Sequence, residues 1–335
     1  MLLLDALYIN KSGGLRLLEY LVRRLQAREV EFMLLADSRC KGLFDHCRHV
    51  LYADASMLNR RLFYKHHAGD YTKVLCFGNI PAPVKLAVPV YTYFHNINLL
   101  TLQESRSFPE KMKSWLKRAV FIKYKKHTDY WLVQTSNTAN ELIWHLKERQ
   151  ERVKLMPFYE LPESLADMAA EEHGSDYVYI STYVPGKGHE ELLDAWRLLH
   201  RQGIDRTLHL TVPLDAHPFV EQLELAGKEG VNIVNHGLVS FDEVMTLYLH
   251  SKAIIYPSHN ESLGLGIVEA LTAGCDVIAS DLPFIHSVCR PSEVFKPYQP
   301  DSIAEAVARY EKGQSPKSGL TIHNHIDELL ELLSN

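Results

Sequence analysis

The chain has 335 residues, of which 46% are hydrophobic and 23% charged, and its formal net charge is -5. That length suits two domains that each bury a core, and the composition is that of a globular protein rather than a disordered or fibrous one. No apolar run reaches the roughly 18 to 20 residues that span a bilayer, so no transmembrane segment is expected.

The opening stretch is broken by Asp5 and lacks the basic lead-in and small-residue cleavage site of a signal peptide. It reads as a first strand, Leu2–Ile9, of a cytoplasmic protein. Leu17, Leu18, Leu21, Val22 and Leu25 then share one helical face before a second strand over Val30–Leu35, which makes a βαβ opening. Further strands are predicted over Val50–Tyr52, Val74–Phe77, Val88–Phe94 and Tyr130–Gln134. The acidic stretch 158–176 after Pro157 has weak helix and strand character and is taken as the interdomain linker. From Tyr177 the alternation resumes. Strands over Tyr177–Ser181, Leu208–Val212, Val231–Asn235, Ala253–Tyr256 and Val277–Ala279 are separated by helices over 189–201, 217–228, 241–250 and 265–273. A last helix covers Thr321–Leu333. Strands alternating with helices imply parallel sheets. The chain is therefore expected to be α/β, with two doubly wound domains over 1–160 and 161–320 facing a cleft. A C-terminal helix in 321–335 is free to pack on either domain, the first being preferred.

The small net charge conceals an asymmetry. Residues 1–160 carry 25 Lys and Arg against 15 Asp and Glu, a balance of +10, whereas the rest carry 11 against 26, or -15. A basic half points to an anionic partner or, more plainly, to a solvated face. Within it, residues 110–126 place Lys111, Lys113, Lys117, Arg118, Lys123, Lys125 and Lys126 among Met112, Trp115, Leu116, Val120, Phe121 and Tyr124. Basic residues interleaved with aromatics on a helix suit an anionic membrane surface, and a core-facing helix with a basic solvent side has the same pattern. The five cysteines, Cys40, Cys47, Cys76, Cys275 and Cys289, have no paired or metal-ligand spacing and are expected to be reduced structural thiols.

The most informative segment runs from Glu261 to Glu269 through Ser262, Leu263, Gly264, Leu265 and Gly266, between a strand ending at Pro257–Ser258 and a helix. The backbone N–H groups of residues 263–266 then lie at a helix N-terminus, where a diphosphate binds, and the two glycines let it approach. Glu269, a turn into the helix, is placed to accept hydrogen bonds from ribose hydroxyls. A capping Glu261 with turn glycines fits the same spacing. His95, followed by Asn96, ends an apolar strand, where ligand sites of parallel sheets form.

The stretch from Pro257 to Val288 resembles the signature region of retaining glycosyltransferases of family 4, in which two glutamates are separated by seven residues. Ser12-Gly13-Gly14 before a helix is similar to that family's first glycine loop. Val184-Pro185-Gly186-Lys187-Gly188 is similar to the loop opening its second domain, and Gly237-Leu238-Val239 to its turn beside the nucleotide base. The resemblance implies a GT-B fold and a nucleotide-sugar donor held by Gly13, Gly14, Thr182, Lys187, Gly237, Val239, residues 262–266 and Glu269. It also implies catalytic roles for Glu261, His95 and Lys187, with the Lys187 ammonium offsetting charge on the leaving diphosphate. Thr182 stands where the family has an arginine, which shifts that task onto Lys187 and helix-terminal N–H groups, or onto an arginine from elsewhere in the chain. Asp276 stands where the family prefers proline and is expected to affect only a turn.

No opposed carboxylate pair suits a hydrolase and no Asp-x-Asp motif is present; the family resemblance implies front-face, retaining transfer without metal or cofactor. The acceptor implied is a lipid-linked or polysaccharide saccharide of bacterial surface-polymer synthesis, met peripherally at the inner face of the cytoplasmic membrane. A non-catalytic binding protein of the same fold is the alternative that Thr182 keeps open. No nucleic-acid motif accompanies the basic half, and no Gly-x-Gly-x-x-Gly follows the first strand as a dinucleotide oxidoreductase would require.

Overall fold

The computed structural model describes residues 1–100, 108–161 and 174–334, with all side chains there except those of Ser12, Asn98, residues 108–111, 113, 114 and 117. The chain divides into two compact units, Met1–Glu160 with His323–Asn335, and Leu161–Ile322.

Unit 1 carries β1 (Leu2–Ala6), α1 (Ser12–Ala27), β2 (Phe32–Asp37), β3 (Val50–Ala53), α2 (Met57–His67), β4 (Lys73–Cys76), β5 (Val90–Phe94), α3 (Phe108–Tyr124), β6 (Tyr130–Val133), α4 (Ser136–Leu146) and β7 (Val153–Leu155). The strands form one parallel sheet in the order β3-β2-β1-β4-β5-β6-β7. The order reverses between β1 and β4, and ligands of such sheets bind beyond the carboxyl ends of the strands at that switch point. β1 shows why the predicted strand Leu2–Ile9 ends early. All of Leu2 to Ala6 is buried, and the Asp5 carboxylate within it needs a partner. Arg60 from α2 supplies one, its Nε donating to Asp5 Oδ2 at 2.7 Å, and the Tyr64 hydroxyl donates to the same oxygen at 2.7 Å. Arg60 also donates to the carbonyls of Ile80 and Pro81, at 2.8 and 2.9 Å. The buried ion pair thus ties β1 and α2 to the loop after β4. At the other side of the sheet Phe94, Phe121, Trp131, Leu142 and Leu146 form a core cluster.

Unit 2 carries β8 (Asp176–Tyr179), α5 (His189–Arg201), β9 (Leu208–Leu210), α6 (His217–Lys228), β10 (Ile233–Asn235), α7 (Phe241–Leu249), β11 (Ser251–Tyr256), α8 (Leu265–Thr272), β12 (Asp276–Ser280), α9 (Pro283–His286), β13 (Cys289–Arg290), β14 (Glu293–Phe295), α10 (Pro300–Glu311) and β15 (Gly319–Leu320). Its parallel sheet has the order β10-β9-β8-β11-β12-β14, and β13 pairs separately with β15. The switch point falls between β8 and β11. Asp276 does more than shape a turn. It is buried at the start of β12, where its Oδ2 accepts from Tyr310 Oη and Lys317 Nζ at 2.7 and 2.9 Å, and its Oδ1 from the Ser318 amide at 2.9 Å. Burial alone would raise the carboxyl pKa, but these bonds outweigh it and hold Asp276 below the ordinary carboxylate value. A proline could make none of them.

After unit 2 the chain returns. α11 (Ile326–Ser334) buries Ile326, Leu329, Leu330 and Leu333. Its Asp327 accepts from Arg24 of α1 and from Arg28 just beyond its end, at 2.9 and 2.8 Å. The amide of His325 donates to the Pro157 carbonyl at 2.7 Å and Asn324 Nδ2 to the Tyr159 carbonyl at 2.7 Å, so the outgoing and returning segments run bonded side by side. All five cysteines are free and buried. Burial raises each thiol pKa, to about 12 at Cys76, Cys275 and Cys289.

Candidate functional site

Each unit gathers candidate residues at its own switch point. In unit 1, Gly13 and Gly14 belong to the first turn of α1 rather than to a loop before it. Amides in a first helical turn lack intrahelical acceptors and are the donors an anion would use. His95 follows β5, with its imidazole against the rings of Phe77 and Tyr93 at 5.3 and 5.8 Å between centroids. Burial lowers its pKa to about 4, which keeps it neutral. A methyl group at Gly14 would lie 3.6 Å from His95 Nε2, so the bare backbone of α1 brings the helix start to the imidazole. The residue that holds His95 is one the sequence reading passed over. Asn79 is buried in the loop after β4, and its Oδ1 accepts from the His95 amide at 2.7 Å while its Nδ2 lies 3.1 Å from His95 Nε2. The signal available was Gly78-Asn79 after an apolar strand, since Asn tolerates the left-handed φ of 68° found here.

In unit 2, Lys187 lies in the loop after β8 and Glu261 in the loop after β11, on the two sides of the switch point. Their side chains meet in an ion pair, both half-buried. Glu261 Oε1 also accepts from Ser258 Oγ at 3.1 Å and from Tyr256 Oη at 3.4 Å. Three features bring the loops together. The Tyr179 hydroxyl donates to the Lys187 carbonyl at 2.8 Å, and the His259 amide donates to the Gly186 carbonyl at 2.9 Å. Gly188 has a φ of 74°, and a Cβ there would fall 2.6 Å from the Pro257 carbonyl oxygen, so the loop seats only with glycine.

Gly264 caps α8 in the left-handed conformation, φ 70°, and Leu265 is the first helical residue. The Ile267 amide donates to the Gly264 carbonyl at 2.9 Å, so the run of amides without an intrahelical acceptor ends at Gly266. Gly266 has a packing reason independent of any ligand. A Cβ on it would come within 3.1 Å of Tyr248 Oη. Ser262 is half-buried, Leu263 is buried, and Glu269 is 5% exposed. Thr182 is exposed. Lys187 is paired with Glu261. Gly237 and Val239 follow β10, two strands from β8. There Asn235 Oδ1 accepts from Val212 and Gly237 amides at 2.9 and 3.4 Å, while Leu238 is 78% exposed.

The basic helix α3 faces both ways. Phe121 is buried, while Met112, Trp115, Leu116 and Ile122 are 57, 61, 58 and 43% exposed. Trp115, Arg118, Ala119, Ile122 and Lys123 line a cavity of about 540 Å³. Lys125 is not available to an outside surface, because its Nζ donates to the Leu146 carbonyl that ends α4. Lys126 is exposed, and the side chains of Lys111, Lys113 and Lys117 lie outside the described residues. Among the described residues no helix is long and apolar enough to cross a membrane, and no group of three or more His, Cys, Asp or Glu could hold a metal ion.

The family model for glycosyl transferases group 1 matches residues 163–322. The serotype-specific mannosyltransferase WbdA of Escherichia coli is 28% identical over 176 residues, 46% of this chain and 19% of that protein, so the chain spans less than a fifth of that relative's length. Among solved structures, Anabaena HepE in complex with UDP and glucose matches with a TM-score of 0.67 at 15% identity, covering 100% of this chain and 96% of that one. WaaG, a glycosyltransferase involved in lipopolysaccharide biosynthesis, matches with a TM-score of 0.65 at 14% identity, covering 100% of both chains. Likeness at such identities carries the fold, which is the GT-B arrangement of two Rossmann-like domains. Because the Lys187 loop and the Glu261–Glu269 segment both lie inside the matched stretch, the second unit of this chain belongs to the group 1 glycosyl transferases.

Proposed function

We propose that the chain is a retaining, metal-independent glycosyltransferase that moves a hexose-type sugar from a nucleotide-diphosphate sugar to a hydroxyl of a lipid-linked or polysaccharide acceptor. The observation that carries this is the Lys187–Glu261 pair at the switch point of a group 1 transferase domain. An ammonium already paired with a carboxylate is poised for exchange. A diphosphate brings more negative charge than one carboxylate, so it draws Lys187 away, and the ammonium then offsets the charge that grows on the leaving group. Glu261, kept in place by Ser258 and Tyr256, turns to sugar hydroxyls and to the positive charge developing at the anomeric carbon. The amides at the start of α8 complete the diphosphate site and Glu269 meets the ribose. Thr182 leaves this charge balance without the family's arginine. The retaining course follows from the family resemblance, in which the acceptor hydroxyl attacks from the face the diphosphate leaves.

The exposed apolar side of α3, with Arg118, Lys123 and Lys126 beside it, supports a peripheral contact with an anionic membrane in which the apolar side chains enter the interface. Likeness to WaaG, a glycosyltransferase involved in lipopolysaccharide biosynthesis, supports a saccharide acceptor of surface-polymer synthesis. The test is thermal shift and transfer with UDP-, GDP- and ADP-sugars. A bound donor at about 100 times its Kd adds about 2.7 kcal/mol of stability, and turnover is expected with one of them. Binding without transfer or hydrolysis would favour a binding protein of the same fold. Failure to bind anionic liposomes at low salt would remove the membrane contact alone.

A further inference from the structure

We propose that Asn79 is a positioning residue that holds His95 in one orientation and one tautomer for the transfer reaction. The inference rests on the reading of His95 as a group that meets the transferred sugar. The hydrogen bonds decide the tautomer. The His95 amide can only donate, so the Asn79 atom 2.7 Å from it is the carbonyl Oδ1. The amide nitrogen Nδ2 therefore faces His95 Nε2 at 3.1 Å, and as a donor it requires an unprotonated nitrogen there. The ring proton is consequently on Nδ1, which is buried without a hydrogen-bond partner among the described residues. One carboxamide thus fixes both the main chain and the ring of His95. Burial of the imidazole, which lowers its pKa to about 4, keeps the ring neutral and able to accept.

The Asn79 side chain is itself held from beneath. Its backbone is left-handed, at φ 68°, which Asn tolerates. The two carbonyls that follow, of Ile80 and Pro81, both accept from the buried Arg60. On the other side Gly78 lies against Tyr8, where an added Cβ would meet the ring at 3.3 Å. The loop thus has little freedom, and its one side chain directed at a candidate catalytic group is Asn79.

The experiment compares the full chain with Asn79→Gly, Asn79→Asp, His95→Ala and the double variant Asn79→Gly/His95→Ala. Glycine removes the carboxamide while accepting the positive φ. Aspartate keeps the acceptor for the His95 amide but turns the donor to the ring into an acceptor. Long-range proton–nitrogen NMR of labelled histidine reads the tautomer. The expected result is Nδ1–H in the parent, Nε2–H with a raised pKa in Asn79→Asp, and a mixture in Asn79→Gly. In donor-dependent transfer, Asn79→Gly is expected to lower kcat about tenfold or more with KM for the donor within about twofold, and to add nothing to His95→Ala. An unchanged tautomer in both Asn79 variants, or multiplying losses in the double variant, overturns the proposal while leaving the role of His95 standing. Full activity in His95→Ala overturns that role and the proposal with it, whatever the NMR reads.

Discussion

At the switch point of unit 1 the groups that meet are uncharged, a neutral His95 bonded to a carboxamide and backed by Phe77 and Tyr93. At that of unit 2 they are Lys187 and Glu261, half-buried and paired. The same strand order therefore presents two kinds of site. The first recognises by fixed hydrogen-bond geometry, and the second holds a stored charge pair that a stronger anion can divide. Unit 1 buries the Asp5–Arg60 pair under its neutral site, at 2.7 Å, whereas the ion pair of unit 2 is the site itself.

Breaking the buried pair should have the largest effect. Arg60→Met leaves the Asp5 carboxylate uncompensated and is expected to cost unit 1 about 3–5 kcal/mol. Calorimetry should then separate its melting from that of unit 2, and a single unshifted transition would contradict the role given to the pair. Lys187→Ala acts in the opposite sense. Transfer should fall by about 10²–10³-fold, with little change in melting, because a half-exposed ion pair is worth about 1 kcal/mol or less. A variant that melts early and keeps its turnover would make Lys187 a structural residue. Asp276→Asn sharpens the comparison inside unit 2, at an expected cost of about 1–3 kcal/mol in urea unfolding. The pKa of Asp276 is lowered on folding, so its contribution is present above the ordinary value of 3.8 and is lost as pH falls through the folded value beneath it. The variant's deficit should therefore shrink in strong acid. In stability, His95 bears on pH dependence alone. Its folded pKa, about 4, lies below the ordinary 6.5, so the proton favours the unfolded chain and stability declines as pH falls from 6.5 towards 4. In His95→Phe that part of the decline should vanish.

The alternation of strands and helices makes most of the fold legible. The helix His189–Arg201 can be read end to end, because Gly188 precedes it, Glu190 and Glu191 open it and His200 and Arg201 close it. β7 and β14 are three residues long, too short for any periodicity, and reading from sequence misses both. It also passes over α10, although Pro300, Asp301 and Arg309 mark its ends. Of the candidate sites, the Glu261–Glu269 segment is legible because a local strand, loop and helix carry it. The proximity of Lys187 to Glu261 is not, since 74 positions separate them and only the parallel order of β8 and β11 joins them. Asn79 shows the same limit. A Gly-Asn pair signals a turn, but nothing local says that the amide will close on a histidine 16 positions later.

The bonds that run from Asn324 and His325 back to Tyr159 and Pro157 make the second unit an insertion whose ends already meet. For protein engineering this offers a place to cut. Joining Glu160 to His323 through a short glycine-rich bridge would restore unit 1 as one continuous chain with α11 still seated on α1. The candidate site of each unit would then become open to grafting, exchange between relatives, or study in isolation.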